Sequence, residues 1–236
     1  MAAIFCCIAL SVVAYQLIQN FQLKKAIQET DQYLTTKYKE EFTVKTIRKE
    51  FLMQKYFLTA SADEKPSIKF NVSRGIRSTE NYEDTYLSSK WYTQSVEIIQ
   101  PILDDYIKSP GFAFIIRRSY LLGEYGNITE DFEEAQIKHP QLSKVDIQIA
   151  YLVNKQEIPK YNHLINELVS ELKNKKIKSL SMNIHFYDKK YYADLNKFQR
   201  EFEKLVFPSS VLDNEKGSTL TSNTIIKERQ ISFGEN

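Results

Sequence analysis

The chain begins with an apolar run that differs from everything after it. The polar side chains of residues 2–18 are those of Ser11, Tyr15 and Gln16, and the first charged side chain is Lys24. A helix of about 17 residues is about 25 Å long, and one further turn brings it close to the hydrocarbon core of about 30 Å. The pattern is typical of a membrane-spanning helix.

Two other structures compete with a membrane anchor. A buried helix of a water-soluble domain usually carries a polar face, and this run has almost none. Val12-Val13-Ala14 has the small-residue form of a signal-peptidase site, but the basic segment that precedes a signal peptide's apolar core is missing. We predict a single-pass transmembrane anchor over residues 1–22, with a cleaved signal peptide as the alternative. Cys6 and Cys7, the two cysteines of the chain, lie inside the run and leave the rest without a structural disulfide.

Residues 23–108 predict a helix packed on an antiparallel sheet. Apolar positions at near-helical spacing continue the first helix to about Lys39. Segments rich in β-branched and aromatic residues then predict three strands, the last two joined by a hairpin turn, at residues 42–51, 55–61 and 67–73. The helical period returns at Tyr82 and runs to about Lys108, where Ser109-Pro110-Gly111 ends it.

Residues 111–207 predict a second small α+β domain in which strands and helices alternate. The elements are strands at 112–116, 145–153 and 179–187 and helices at 129–138, 159–175 and 190–207. Asn127-Ile-Thr-Glu130 has the form of a capping box that opens the first of these helices. The second and third strands are expected to be parallel neighbours joined by a right-handed crossover. Residues 208–236 form a polar tail with an edge strand at 224–233. The fold class is therefore α+β, with helices on largely antiparallel sheets.

Composition argues against some classes of ligand and partner. Six glycines over 236 residues argue against a glycine-rich phosphate loop. A net charge of +2 gives little support for nucleic acid as a partner.

The spacing of the candidate catalytic and metal-binding groups matches no known catalytic or metal-binding motif that we considered. His139, His163 and His185 do not match a zinc helix or zinc finger, and His185 is expected to face solvent from its strand. Gly-x-Ser-x-Gly and Ser-x-x-Lys motifs are absent. The acidic groups are neighbours in sequence, at Glu83-Asp84, Asp104-Asp105 and Glu130-Asp131-Glu133-Glu134. Neighbours on one element diverge, so these groups are interpreted as solvated faces. We predict no catalytic, cofactor-binding or metal-binding residues and no cofactor.

Basic clusters and tyrosines offer weaker hypotheses for binding. The basic clusters are Arg117-Arg118, the lysines Lys173, Lys175, Lys176 and Lys178, and Lys189-Lys190-Tyr191-Tyr192. They fit a polyanion site, but lysines at a helix C-terminus explain them equally well. Tyr82, Tyr86 and Tyr92 are interpreted as ordinary packing across helix and sheet, with an exposed contact face as the alternative.

Several aromatic-containing segments within residues 1–110 carry a family resemblance. They are Tyr33-Leu-Thr-Thr-Lys-Tyr38, Tyr56-Phe-Leu-Thr-Ala60, Pro66-Ser-Ile-Lys-Phe-Asn-Val72, Tyr82-Glu-Asp-Thr-Tyr86 and Lys90-Trp91. This pattern is similar to the YfjL-like family of uncharacterised single-span membrane proteins of Gram-positive bacteria. The resemblance implies a cystatin-like layer of helix on antiparallel sheet over residues 23–108, and it implies no active-site residue.

The flanking charges and the family resemblance favour opposite sides of the membrane for the α+β domains. Lys24 and Lys25 after the span favour a cytoplasmic domain, but long domains often cross regardless of flanking charge. The resemblance favours an extracytoplasmic domain. We expect a non-catalytic, membrane-anchored envelope protein whose α+β domain binds a protein, envelope polymer or other ligand, with no nucleic-acid partner. The alternatives are an enzyme that acts on envelope polymer through carboxylates assembled by the fold, and a polyanion-binding protein.

Overall fold

The chain folds as two units, each built on one four-stranded sheet. Unit 1 comprises Met1–Ser89 and Leu121–Thr129, and unit 2 comprises Lys90–Tyr120 and Glu130–Asn236. The computed structural model describes residues 2–76, 81–106, 111–117, 128–175, 177–191, 197–198, 200–202 and 225–233. The predicted α+β class is confirmed, with helices and largely antiparallel sheets.

A single helix, α1 (Ala2–Tyr38), opens unit 1. The apolar run and the amphipathic segment after it are therefore continuous. The helix ends at Lys39, which adopts a left-handed φ of 59° and donates its N–H to the Thr35 carbonyl at 2.9 Å. This reversal sends the chain back along α1. Within the described residues, no helix is both long enough and apolar enough to cross a bilayer. The anchor over residues 1–22 stays a prediction.

The sheet of unit 1 is an antiparallel meander with the order β1-β2-β3-β4. Its strands are β1 (Phe42–Glu50), β2 (Lys55–Ala62), β3 (Lys69–Gly75) and β4 (Tyr82–Asp84). Alternate residues of β2 are buried, because one face of the sheet packs against α1. The core between helix and sheet includes Ala26, Leu34 and Tyr38 from α1 with Leu58, Ala60 and Phe70 from the sheet.

The prediction of a helix from Tyr82 was wrong by four residues. Residues 82–84 form the edge strand β4, and α2 spans Tyr86–Tyr106. Tyr82 pairs with Arg74 of β3, and its ring stacks on the ring of Tyr33 at a centroid distance of 4.1 Å. The first helical hydrogen bond of α2 runs from the Ser89 N–H to the Thr85 carbonyl at 3.0 Å. The stop signal predicted at 109–111 includes residues 109–110, which lie outside the described part of the chain.

The sheet of unit 2 is mixed and has the order β5-β6-β7-β8. Its strands are β5 (Phe112–Arg117), β6 (Val145–Val153), β7 (Leu180–Asp188) and β8 (Ile225–Phe233). The predicted parallel pairing of β6 with β7 is confirmed, and α4 (Ile158–Asn174) connects the two strands. The strand expected at 224–233 is present as β8, at the edge of the sheet. Tyr151 of β6 contacts Tyr161 of α4 at a centroid distance of 4.8 Å.

One predicted helix of unit 2 begins later than expected, and another is described only in part. The short helix α3 spans Phe132–Lys138, so it does not begin with the capping box predicted at 127–130, and Asn127 lies outside the described residues. Asp131 precedes α3, and its carboxylate binds Gln94 and Lys90 rather than a helical N–H. Of the helix predicted at 190–207, residues 197–198 and 200–202 are helical, residues 189–191 form a 3-10 turn, and the others are outside the described part.

Candidate functional site

The three histidines each lie beside one glutamate. The pairs are His139 Nε2 with Glu130 Oε1 at 3.7 Å, His163 Nε2 with Glu167 Oε1 at 3.4 Å, and His185 Nδ1 with Glu228 Oε1 at 3.2 Å. His185 is partly buried rather than fully solvent-facing as predicted. In the described residues, no group of three or more His, Cys, Asp or Glu side chains is arranged to hold a metal ion.

The interpretation of the neighbouring acidic side chains as diverging, solvated groups is wrong in part, because the Asp84 side chain is buried and Glu130 and Glu134 both contact Lys138. Asp104 and Asp105 are exposed on α2, where Asp104 accepts a hydrogen bond from Gln100 at 2.9 Å. The acidic residues at 130–134 pair with nearby cations. These pairs are Asp131 with Lys90, and Glu130 and Glu134 with Lys138. Hydrogen bonds from Gln94 and Lys90 lower the pKa of Asp131. None of these carboxylates faces another across a cleft in the contacts described.

The basic clusters are only partly described. Arg117 lies 3.6 Å from Asp146, and Lys190 lies 3.1 Å from Asp188. Lys173, Lys175 and Lys178 are exposed at and beyond the end of α4. Arg118, Lys176 and Tyr192 lie outside the described residues. Polyanion binding by these clusters stays a prediction.

Of the two interpretations of Tyr82, Tyr86 and Tyr92, ordinary packing is confirmed for Tyr82 and Tyr86, and the exposed contact face is wrong for these two. Tyr82 and Tyr86 are buried in the core of unit 1, and Tyr92 is half-buried. Tyr86 packs edge-on against Tyr38 and Phe42 at centroid distances of 4.6 and 4.9 Å. Ordinary packing therefore explains these two rings.

The most organised polar group in unit 1 is the carboxylate of Asp84, at the end of β4. Its side chain is 1% exposed. One oxygen, Oδ2, accepts hydrogen bonds from the Tyr33 hydroxyl at 2.8 Å and from the Lys37 ammonium at 2.9 Å. The other, Oδ1, accepts from the Tyr38 hydroxyl at 2.7 Å and from the Tyr86 N–H at 3.1 Å. A carboxylate has about four acceptor positions, and here all four are used.

This arrangement fastens α1 to the sheet. The three side-chain donors come from one face of α1, at residues 33, 37 and 38, while the acceptor belongs to β4. The Lys37 ammonium also lies over the rings of Tyr33 and Tyr38, at 5.4 and 5.0 Å from their centroids. We call Asp84 and its donors Tyr33, Lys37 and Tyr38 the Asp84 clamp. Its groups are fully paired, so its chemistry is structural.

A second charged contact joins α1 to β3. Arg74, which is buried, donates to Glu29 of α1 at 2.7 Å and to the Tyr82 hydroxyl at 2.9 Å. Its guanidinium lies 5.4 Å from the centroid of the Tyr82 ring. Arg74 and the Asp84 clamp therefore hold α1 at two points along the sheet.

The electrostatics of the clamp differ from those of the neighbouring surface. Burial, reinforced by the adjacent Asp84 carboxylate, raises the pKa of Tyr38 far above its ordinary value. On the opposite face of β4, hydrogen bonds from Lys55 at 3.0 Å and Ser73 at 2.8 Å lower the pKa of Glu83. Glu83 is 67% exposed, so adjacent carboxylates have opposite roles: Asp84 organises the core and Glu83 makes a surface ion pair.

The first part of α1 contrasts with this well-packed region. Large apolar side chains are exposed along it, namely Leu10, Val12, Val13, Tyr15, Leu17, Ile18 and Phe21. At about 100° per residue these positions surround the helix and leave no gap wider than about 100°. From residue 23 onward the pattern changes, and burial is confined to a stripe at Ala26, Thr30, Leu34 and Tyr38. The helix therefore exposes apolar side chains on all sides of residues 10–21, with the exposed polar Gln16 and Asn20 among them, and packs along one side after residue 23.

Comparisons with known proteins identify no family. No protein-family model and no curated protein matches the chain. One solved structure, the crystal structure of a DUF5037 family protein from Ruminococcus gnavus ATCC 29149, is similar with 14% identity and a TM-score of 0.39. The alignment covers 88% of this chain and 90% of that chain. A TM-score this low supports no conclusion about function, and the resemblance to the YfjL-like family stays a prediction.

Removal of the Asp84 carboxylate is expected to destabilise unit 1. Asp84→Ala leaves the Lys37 ammonium and two tyrosine hydroxyls without their acceptor and is expected to cost about 3–5 kcal/mol in free energy of unfolding. The matched control, Glu83→Ala, changes an exposed carboxylate on the same strand and is expected to cost about 1 kcal/mol or less. Asp84→Asn, which keeps one acceptor oxygen, should fall between them. Chemical denaturation measures all three, and equal losses for Asp84→Ala and Glu83→Ala would contradict the clamp.

Stability is expected to fall at alkaline pH in a manner that depends on Tyr38. Its pKa is raised in the folded state from the ordinary value of 10.0, so its contribution is complete below that pH and is lost as the pH rises above it. One such proton corresponds to a slope of about 1.4 kcal/mol per pH unit. Tyr38→Phe should lower the stability at neutral pH but flatten the alkaline slope. Urea denaturation at several pH values tests this, and an unchanged slope would refute the role assigned to Tyr38.

Proposed function

We propose that this protein is a single-pass membrane protein in which the first part of α1 lies in the bilayer and holds the α+β units at the membrane. The observation that carries the proposal is the change along α1 between Phe21 and Ala26. Before it, apolar side chains are exposed on every side, and after it the helix packs on its own sheet. Apolar side chains on every side of a helix are typical of a segment that is surrounded by other apolar groups.

The energetics support lipid as that environment. Burial of one large apolar side chain contributes about 1.5–3 kcal/mol, so the exposed side chains of residues 10–21 together represent roughly 10 kcal/mol or more. Residues 2–9 extend the same run by Ala, Ile, Phe and Cys. With them, the apolar run of residues 2–18 amounts to about 25 Å of helix, slightly less than a hydrocarbon core of about 30 Å, and residues 19–22 continue the helix into the interfacial layer. Lys24 and Lys25 follow at once and suit the headgroup region.

The packed segment of α1 connects the proposed anchor directly to unit 1. Because α1 is continuous from Ala2 to Tyr38, the proposed membrane segment belongs to the same helix that the Asp84 clamp fastens to the sheet. Unit 1 is thus joined to the bilayer through a helix and not through a flexible linker. We propose that the units present a non-catalytic surface to a protein or envelope polymer at the cell membrane.

Charged substitutions in the exposed segment of α1 test the anchor. Each lysine at the centre of a membrane helix costs about 2.5–3.5 kcal/mol on insertion scales, so Val13→Lys combined with Leu17→Lys should release the protein from membranes. The matched control, Gln28→Lys, adds a charge to an exposed position of the packed segment and should leave the protein in the membrane fraction. Sedimentation after an alkaline carbonate wash measures the distribution. Recovery of the unaltered chain in the supernatant would contradict the proposal.

The side of the membrane requires a separate experiment. We propose an extracytoplasmic location for the α+β units. A reporter that is active only outside the cytoplasm, fused after Asn236, is expected to be active, and a reporter that is active only inside is expected to be silent. The reverse pattern would overturn the proposed side while leaving the anchor intact.

A further inference from the structure

The turn between β1 and β2 carries three exposed apolar side chains in a row. They belong to Phe51, Leu52 and Met53, and Leu52 is 94% exposed. Turns favour Gly, Pro, Asn, Asp and Ser, which suit solvent and tight backbone geometry. A Phe-Leu-Met sequence at the tip of a hairpin therefore departs from ordinary turn chemistry.

The backbone of the turn is nevertheless held by specific contacts. Gln54 adopts a left-handed φ of 52°, and its side-chain amide donates to the Phe51 carbonyl at 2.7 Å. The Gln54 carbonyl accepts the Ile76 N–H at 2.9 Å, which ties the turn to the end of β3. The Lys49 ammonium lies 4.8 Å from the centroid of the Phe51 ring. These contacts fix the backbone of the turn while its apolar side chains point away from the core.

The position of the turn relates it to the exposed part of α1. The Lys49 ammonium donates to the side-chain carbonyls of Gln19 at 3.3 Å and Gln22 at 3.5 Å. This contact agrees with the path of the chain. The helix from Gln22 to Tyr38 is about 24 Å long, and the strand from Phe42 back to Lys49 covers about 23 Å.

The same helix and strand lengths give the position of the tip of the turn relative to α1. Leu52 follows Lys49 by three residues, so it lies up to about 10 Å further on, equivalent to about six residues of helix. The tip is therefore level with the segment of α1 from about Tyr15 to Phe21, whose apolar side chains are exposed. The two sets of exposed apolar side chains therefore lie at the same end of unit 1.

We propose that the turn Phe51-Leu52-Met53 is a second lipid contact, which inserts into the interfacial layer of the same bilayer that holds α1. This inference rests on the proposed membrane anchor. Lipid is favoured over a protein partner because the turn continues the surface of a helix segment that is apolar on all sides. Its flanks also suit anionic headgroups: Lys24 and Arg48 are exposed and Lys49 is partly exposed, against the single acidic side chain of Glu50 in this part of β1.

A second contact would fix the orientation of unit 1. A single helix leaves the attached unit free to tilt relative to the bilayer, whereas insertion of the turn on one side of α1 limits the tilt and keeps that side of unit 1 against the membrane surface. The face of unit 1 that is presented to a partner would then be constant.

Site-directed fluorescence on the full chain tests the inference. Cys6 and Cys7 are replaced by Ala, and an environment-sensitive nitrobenzoxadiazole label is placed through Leu52→Cys. The matched control is Glu64→Cys, which is exposed in the turn at the opposite end of β2. Both proteins are reconstituted in vesicles of phosphatidylcholine and phosphatidylglycerol. The label at residue 52 is expected to shift to shorter wavelength and to be protected from iodide, while the label at residue 64 stays quenchable.

The outcomes separate this inference from the anchor itself. If the chain floats with vesicles and the label at residue 52 is as quenchable as the label at residue 64, the second contact is refuted and the anchor stands. If the chain does not float, the anchor fails and the inference fails with it. A label at residue 52 that is protected without vesicles, in detergent-free protein, would indicate a protein contact and would also refute lipid insertion.

Discussion

The burial of one carboxylate is the constraint on which the architecture of unit 1 depends. A buried charge costs several kcal/mol unless it is paired and its hydrogen-bonding capacity is filled. Asp84 meets this condition only if α1 lies against β4 in a single register, because three of its four donors come from residues 33, 37 and 38 of α1. Any rotation or slip of the helix would leave the carboxylate with the Tyr86 N–H as its donor and would separate the Lys37 ammonium and two tyrosine hydroxyls from their acceptor. The clamp therefore specifies where α1 sits, in addition to any stability it supplies.

The fixed register of α1 determines where its exposed segment lies relative to the sheet. With one side of the helix held by the Asp84 clamp and by Arg74, the segment before residue 23 projects beyond the packed core, and the contact of Lys49 with Gln19 and Gln22 places the β1–β2 turn beside it. Apolar surface is thereby concentrated at one end of unit 1. In the proposed function, this end meets the bilayer and the clamp transmits the orientation of the helix to the sheet.

Periodicity predicted most of the elements, because it reflects which faces are buried. The strands β1, β2, β5, β6 and β7 and the helix α4 lie close to the predicted residues, and the parallel pair follows from the order of strand, helix and strand. The start of α2 was missed because Tyr82 continues the helical spacing, although Asp84 and Thr85 have the side chains typical of a helix start. The role of Asp84 was missed because it depends on a contact across 46 positions in sequence. The four-residue spacing of Tyr33 and Lys37 was the local signal for polar donors on one helix face.

The measurement that tests the central claim most directly is solvent accessibility along α1 in vesicles. Nitroxide labels at Val13, Leu17, Gln28 and Gln32, each introduced singly in the full chain with Cys6 and Cys7 replaced by Ala, report collisions with oxygen and with a water-soluble nickel complex. All four positions are exposed on the protein, so the protein itself does not shield them differently. Labels at Val13 and Leu17 are expected to collide preferentially with oxygen, and labels at Gln28 and Gln32 with the nickel complex. Equal access of the nickel complex to all four positions would contradict this expectation.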